Sequence, residues 1–399
     1  MSSAQLRYPR SAMSKSSIHP WSRSWLVPAL ALVVLAASCK KSPPARRDAA
    51  IRDQPDAAGA IDAAPAPADA APDAMTGRPS QGPLPVLPAL VLPDDPKRRE
   101  KIVLGHALFF DKRLSVDGSL ACYSCHQNED GNGGHDPTAI GPRNRPLPRH
   151  SPVIWNVAYF VNSLYWDGRS PNLEHQAKAA WSGGNMGIGA DYLEAKATEI
   201  LAIPGYKRLF RVAFPGQDPG AERLVAAIAE YERTLICSDT AYDKYAAGDR
   251  TALTEPQQLG LDVFLGKGQC GVCHAPPHFS SAMGVDGGVY FNVGIGTLGK
   301  TDTEVDAGRM VVTKNAADWA AFKPPSLRNV SKSAPYFHDG SVATFEAAVR
   351  LMVKGGIPNK NLSPLMKDRG LDETEILNLI SFLRALDCPK AIKPPTIRP

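Results

Sequence analysis

The chain has 399 residues, enough for two domains with their own cores. Its formal charge of +5 at pH 7 is small for that length and spread along the sequence, which argues against nucleic acid as a partner. The chain has seven cysteines, and their spacing is the first informative feature.

Residues 1–24 carry Arg7, Arg10, Lys15 and Arg23 and no acid, with a second candidate start at Met13. The apolar run Trp25–Ala37 is too short for a comfortable membrane span and suits the hydrophobic region of an export signal. It ends in Leu35-Ala36-Ala37-Ser38-Cys39, small residues before a cysteine, as at a bacterial lipoprotein cleavage site. The expectation is a lipoprotein-type signal over 1–39, lipidated at Cys39, which puts the protein in the periplasm and anchors it to a bacterial membrane; an ordinary signal peptide that leaves Cys39 unmodified is the alternative. Residues 40–83 are Ala, Pro and Asp with little else. The segment cannot bury a core and reads as a disordered tether.

Folded sequence begins near Leu84. Apolar residues at Ile102, Val103, Leu104, Leu108 and Phe109 predict a helix from Arg98 to about Phe110. Shortly after it comes Cys122-Tyr-Ser-Cys125-His126. Helices are expected at Tyr192–Ile203 and Ala221–Leu235, then at Glu255–Leu265, just before Cys270-Gly-Val-Cys273-His274. The helices before the two motifs share Leu104-Gly105-x-x-Leu108-Phe109 and Leu259-Gly260-x-x-Val263-Phe264, an internal repeat. A further helix is expected over Thr344–Met352. The chain closes with a helix opened by Asp372-Glu-Thr-Glu375, whose Ile376, Leu379, Ile380, Leu383 and Leu386 fall on one face.

C-x-x-C-H is the attachment signature of c-type haem. The two thiols add to the two vinyl groups, and the histidine reaches the iron. Structural zinc and disulfides are the competing readings of paired cysteines. Two copies, each followed by histidine in a chain with an export signal, favour two covalently bound haems c, held by Cys122, Cys125 and His126 and by Cys270, Cys273 and His274. The expected fold is mostly α: two cytochrome c-like domains, at 84–245 and 246–399, each with a covalently bound haem. Cys237 and Cys388 remain, either as a disulfide or as two separate buried thiols.

Beyond the haem motifs, a set of short segments in fixed order resembles the bacterial di-haem cytochrome c peroxidases and their methylamine-utilisation relatives. They are Leu104-Gly105-x-x-Leu108-Phe109-Phe110-Asp111-x-Arg113-Leu114-Ser115, Ser151-Pro152, Asn156-Val157-Ala158-Tyr159, Trp166-Asp167-Gly168-Arg169 and Leu173-Glu174-x-Gln176-Ala177. Pro325-x-Leu327-Arg328-Asn329 and Ala334-Pro335-Tyr336-Phe337-His338-Asp339-Gly340 follow. The resemblance spans residues 95–388 and implies two unequal haems. The C-terminal one would take electrons from a small c-type cytochrome or a cupredoxin, with Met352 opposite His274 and Met366 as the second choice. The N-terminal one would reduce hydrogen peroxide. Trp166 matches the tryptophan between the haems, and Gln176 matches a residue on the peroxide side. The resemblance also implies a homodimer.

The sequence departs from that family pattern in three places. Pro142 stands where a histidine caps the N-terminal haem in the best-known members, leaving that haem open or capped by His135 or His150. Asn185, in Trp181-Ser-Gly-Gly-Asn185-Met186-Gly187, stands where a glutamate moves the peroxide proton, and an amide cannot take that proton. Glu174 and His175 are the nearby candidates to replace it. His150 replaces an asparagine that helps bind a calcium between the domains, which weakens a calcium site and leaves carbonyls such as those of Ser333 and Pro335. A peroxidase with Gln176, Asn185 and Trp166 as its working residues is the leading expectation. An electron-transfer cytochrome without peroxidase activity, or an enzyme that oxidises a partner protein, are the alternatives.

Overall fold

The computed structural model describes residues 83–397 and 399, all within the unit Pro67–Pro399. The export signal, Cys39 and nearly all of the tether lie outside the described residues. The chain is mostly helical. Its helices are α1 Arg98–Phe109, α2 Cys122–Cys125, α3 Leu173–Ser182, α4 Leu193–Ala202, α5 Pro204–Ala213, α6 Ala221–Glu232, α7 Ala241–Ala246, α8 Glu255–Leu265, α9 Met310–Thr313, α10 Phe345–Val353 and α11 Glu373–Arg384. The helices expected from periodicity are present with ends shifted by a few residues, while α2, α3, α5, α7 and α9 come in addition.

The caps explain where several helices start. At α11, Asp372 Oδ1 accepts from Glu375 N at 2.9 Å and Glu375 Oε2 accepts from Asp372 N at 2.8 Å. This reciprocal pair satisfies two of the amides that a helix start leaves open. The Gln257 side chain accepts from Thr254 N at 2.9 Å at the start of α8, and Thr344 Oγ1 accepts from Ala347 N at 3.2 Å at the start of α10.

The internal repeat has a structural counterpart. α1 packs on α6, and α8 packs on α11. In each pair a glycine lies at the crossing. A Cβ on Gly105 would stand 1.8 Å from the Ala227 carbonyl oxygen, and one on Gly260 would stand 1.9 Å from that of Asn378. Only glycine lets the two backbones come this close. The first pair closes a core of Leu104, Leu108, Trp181, Ile200, Tyr206, Leu224 and Ile228. The second closes a core of Phe264, Phe279, Phe382, Leu379 and Val349, which also takes in Tyr242 and Tyr245 of α7.

The segments after α6 and α11 are joined by a disulfide, Cys237–Cys388, across 151 residues of sequence. Of the two readings of these cysteines, the bonded one holds. Each half-cystine is bracketed by an asparagine in the left-handed region. Asn156 (φ 62°) exchanges bonds of 2.7 and 3.0 Å with the Cys237 backbone, and Asn329 (φ 61°) accepts from Cys388 N at 2.6 Å. Asn156 N bonds the Leu235 carbonyl and Asn329 N the Leu386 carbonyl, again 151 residues apart. The disulfide therefore links equivalent points of the two repeats. Closing so long a loop contributes on the order of 2–5 kcal/mol.

Replacing Gly260 with alanine sets two effects against each other. Alanine improves helix propensity by about 1 kcal/mol. Its methyl group cannot fit 1.9 Å from a carbonyl oxygen, and overpacking of that kind costs about 1–3 kcal/mol. We expect Gly260→Ala to lower stability in denaturant unfolding; unchanged or raised stability would show that the crossing can relax.

Candidate haem sites

In the first site, α2 carries Cys122 and Cys125, and His126 follows at its end. His126 Nδ1 lies 3.2 Å from the Asn132 carbonyl oxygen. A carbonyl only accepts, so Nδ1 carries the proton, and Nε2 keeps the lone pair that a metal would need. Asn132 is itself held: its Nδ2 donates to the His126 carbonyl at 3.1 Å and to Asn128 Oδ1 at 3.0 Å, and its Oδ1 accepts the Trp155 indole at 2.7 Å. Burial pushes His126 down to about 4, so the ring is neutral near pH 7.

The second site repeats this arrangement. His274 follows the turn Cys270–Val272, and its Nδ1 donates to the carbonyls of Pro325 at 3.1 Å and Phe279 at 3.2 Å. Burial lowers its pKa as well. Arg328, fully buried, fixes the surrounding loop. It forms a two-pronged pair of 2.7 and 2.8 Å with Asp243 on α7 and donates to the Pro277 carbonyl at 2.8 Å.

Beside Cys270, Cys273 and His274 lies a largely apolar cleft that is open to solvent. Phe264, Leu327, Tyr336, Phe345, Leu379 and Leu383 line it, together with both Met352 and Met366. A large flat apolar group fits such a space, and a lone zinc ion does not. Among the described residues no group of three or more His, Cys, Asp or Glu side chains could hold a metal ion. The four motif cysteines are unpaired. The donor set therefore suits two thioether-linked haems, each with one neutral imidazole.

Trp166 lines this cleft. Its indole donates to the His150 carbonyl at 2.8 Å, and its own carbonyl accepts from Lys323 N at 2.9 Å. Ser151, next to His150, lines a smaller pocket beside Cys125 of the first motif. His135 also lines that smaller pocket, exposed, with its ring nitrogens 3.4 Å from Asp130 and 3.2 Å from Asp136 carboxylate oxygens. His150 is buried and its Nδ1 donates to the Asp136 carbonyl at 2.9 Å.

Gln176 is half-buried on α3, and its carbonyl accepts the Tyr165 hydroxyl at 3.2 Å. Asn185 is half-buried in the turn after α3. Gly184, beside it, packs its carbonyl against Gly141 of the pocket wall, and a Cβ on Gly141 would stand 2.3 Å away. The two candidates to replace the missing acid are both engaged elsewhere. Glu174 pairs with Arg233 at 2.7 Å, and His175 is exposed, with Nδ1 2.9 Å from Ser170 Oγ.

Comparison with known proteins places this geometry. Residues 99–251 match the family model of the di-haem cytochrome c peroxidases. The methylamine utilization protein MauG of Methylorubrum extorquens is 34% identical over 306 residues, covering 76% of this chain and 83% of that protein. The chain belongs to the di-haem cytochrome c peroxidase family. Cytochrome c551 peroxidase of Pseudomonas aeruginosa is 35% identical over 295 residues, covering 71% of this chain and 77% of that enzyme. The crystal structure of a MauG-like protein associated with microbial copper homeostasis superposes with a TM-score of 0.70 at 29% identity, over 79% of this chain and 98% of that one.

Sequence reasoning missed Asn132, Arg328 as the partner of Asp243, and Lys323, which is buried with its Nζ on the Ser163 carbonyl at 2.7 Å. The paired Asn156-Val157 and Asn329-Val330 were a readable signal of the repeat. Lys323 gave none, and Arg328 only its place in a short motif, because their burial depends on distant segments.

Proposed function

We propose that this chain is a di-haem c-type peroxidase that reduces hydrogen peroxide with electrons from a small c-type cytochrome or cupredoxin. The observation that carries the reading is the duplicated site: two C-x-x-C-H segments, each with the histidine Nδ1 proton committed to a backbone carbonyl and Nε2 left for iron. When bound, the haems supply the redox chemistry; the rest falls to the chain. Cys122, Cys125 and His126 hold one haem, and Cys270, Cys273 and His274 hold the other.

Met352, which lines the same cleft as His274 from α10, would be the second side chain to hold that haem; Met366, which also lines it, is the alternative. A thioether on that side holds a haem potential high and suits it to accept electrons from a donor. Trp166 lies where an aromatic ring can couple the two sites. Gln176 is assigned to orient peroxide. Asn185 can hydrogen-bond peroxide and cannot accept its proton. Export to the periplasm fits the Cys237–Cys388 disulfide, since such bonds persist in oxidising compartments. Membrane anchoring would rest on Cys39. A calcium, if bound, would rest on carbonyls such as those of Ser333 and Pro335, since the His150 ring offers no oxygen.

Asn185 favours a second reading, electron transfer without peroxide turnover. General acid–base help of the missing kind is typically worth roughly 10²–10⁴-fold. We therefore expect slow native oxidation of a reduced c-type cytochrome by peroxide, and a rise in turnover in Asn185→Glu. Glu174→Gln and His175→Ala should leave the native rate unchanged. A fast native rate that none of the three changes moves would overturn the placement of the peroxide pocket. Absence of any spectral change with peroxide in every variant would favour the electron-transfer reading.

The assignment of Met352 is tested separately. Met352→His should lower the potential of the C-terminal haem, because imidazole stabilises the ferric iron better than a thioether does. An unchanged redox titration in that variant, with a shift in Met366→His, would move the ligand to Met366.

A further inference from the structure

Glu232 is the last residue of α6, and no step above uses it. Its Oε2 is buried without a hydrogen-bond partner. The repeat indicates what this side chain faces. The spacing of 151 residues that separates Cys237 from Cys388 also relates Ala227 to Asn378 at the helix crossings, and it relates Glu232 to Leu383. Leu383 lines the cleft beside Cys270, Cys273 and His274. Glu232 thus takes, in the first half, the place from which the second half presents an apolar side chain to its cofactor cleft. Its electrostatic neighbours agree: the Cys122 thiol of the first motif, and Tyr165, whose hydroxyl reaches the Gln176 carbonyl.

The groups packed around Glu232 leave it without a cation of its own. Arg233 is the cation that acts on it, but its guanidinium is divided between Glu174 of α3 at 2.7 Å and Glu230 of α6 at 3.4 Å. Glu230 is also held by Arg98 of α1 at 3.1 Å. Tyr231 stacks on His106 of α1, with ring centroids 4.5 Å apart. Burial, opposed in part by Arg233 and aided by Glu174, pushes the Glu232 carboxyl up to about 8. It is therefore neutral at pH 7, and a nearby change of one charge can decide whether it ionises.

We propose that Glu232 is the proton-holding residue of the first haem centre, facing the group held by Cys122, Cys125 and His126. It carries a proton while that centre is reduced and releases it when the centre is oxidised. Each oxidation removes one electron to the oxidant, peroxide in turnover or an electrode mediator in a titration, and one proton passes from the Glu232 carboxyl to solvent. Reduction reverses both. The sign follows from charge: a carboxylate is favoured beside the more positive oxidised centre, and a neutral carboxyl beside the reduced one. The inference rests on the haem assignment proposed above.

The test is a spectroelectrochemical titration of the holoprotein, followed at the N-terminal haem over about two pH units on either side of the Glu232 value. The midpoint potential should fall as pH rises through that window, by at most about 59 mV per pH unit, the equivalent of tenfold in the equilibrium constant of a one-electron couple. Glu232→Gln should flatten the dependence at unchanged haem content, and Glu232→Asp should restore it at a displaced pH. Redox-induced infrared difference spectra should contain a carboxyl band that Glu232→Gln removes. A pH-independent potential in the wild-type protein, or the same slope in Glu232→Gln, would overturn the proposal and leave the haem assignment standing. Lack of haem on the Cys122–His126 peptide would overturn both.

Discussion

The close approach of two helix backbones, made twice, is the constraint on which the rest of this structure depends. Gly105 meets the Ala227 carbonyl and Gly260 meets the Asn378 carbonyl at distances that no side chain tolerates. Each crossing fixes the angle and depth at which the closing helix lies on the opening one. Each opening helix leads into a C-x-x-C-H segment, so the crossing also sets where the two thiols and the histidine stand. The second closing helix then places Leu379 and Leu383 along the cleft wall. The site is therefore a consequence of the packing, and the disulfide between equivalent points ties the two copies together.

The duplication also makes the differences between the copies informative. One cleft is lined almost wholly by apolar side chains and offers two thioethers. The pocket beside Cys125 is lined by ionisable groups, Asp117, His135, Asp136 and Arg143. An apolar site with a soft sulfur ligand suits storage and relay of electrons. A site with protons to give and take suits chemistry in which oxygen is reduced to water.

Much of this was legible in the residues. The helices of the repeat, the Asp372–Glu375 cap and both attachment motifs follow from local spacing, and local spacing is what one-dimensional reading captures. Trp166, chosen from the family resemblance, lines the second cleft and donates to the His150 carbonyl. The pairing of Cys237 with Cys388 could not be decided, because it depends on two helices separated by 151 residues ending at the same place. Arg328 was visible only as part of a short motif; its burial against Asp243 depends on α7 folding across the second site. Glu232 sits among helical apolar positions where an acid would ordinarily be assigned to the surface. Only the three-dimensional structure shows that its Oε2 is buried without a hydrogen-bond partner.

The central claim is that each C-x-x-C-H segment carries a covalently bound haem. Peptide mass mapping of protein matured in a host that attaches c-type haem tests it most directly. The account predicts two haems per chain, one on the peptide holding Cys122 and Cys125 and one on that holding Cys270 and Cys273, with Cys237 and Cys388 recovered as a disulfide-linked pair. Haem on only one motif peptide, or motif cysteines recovered as free thiols beside a bound zinc ion, would contradict it.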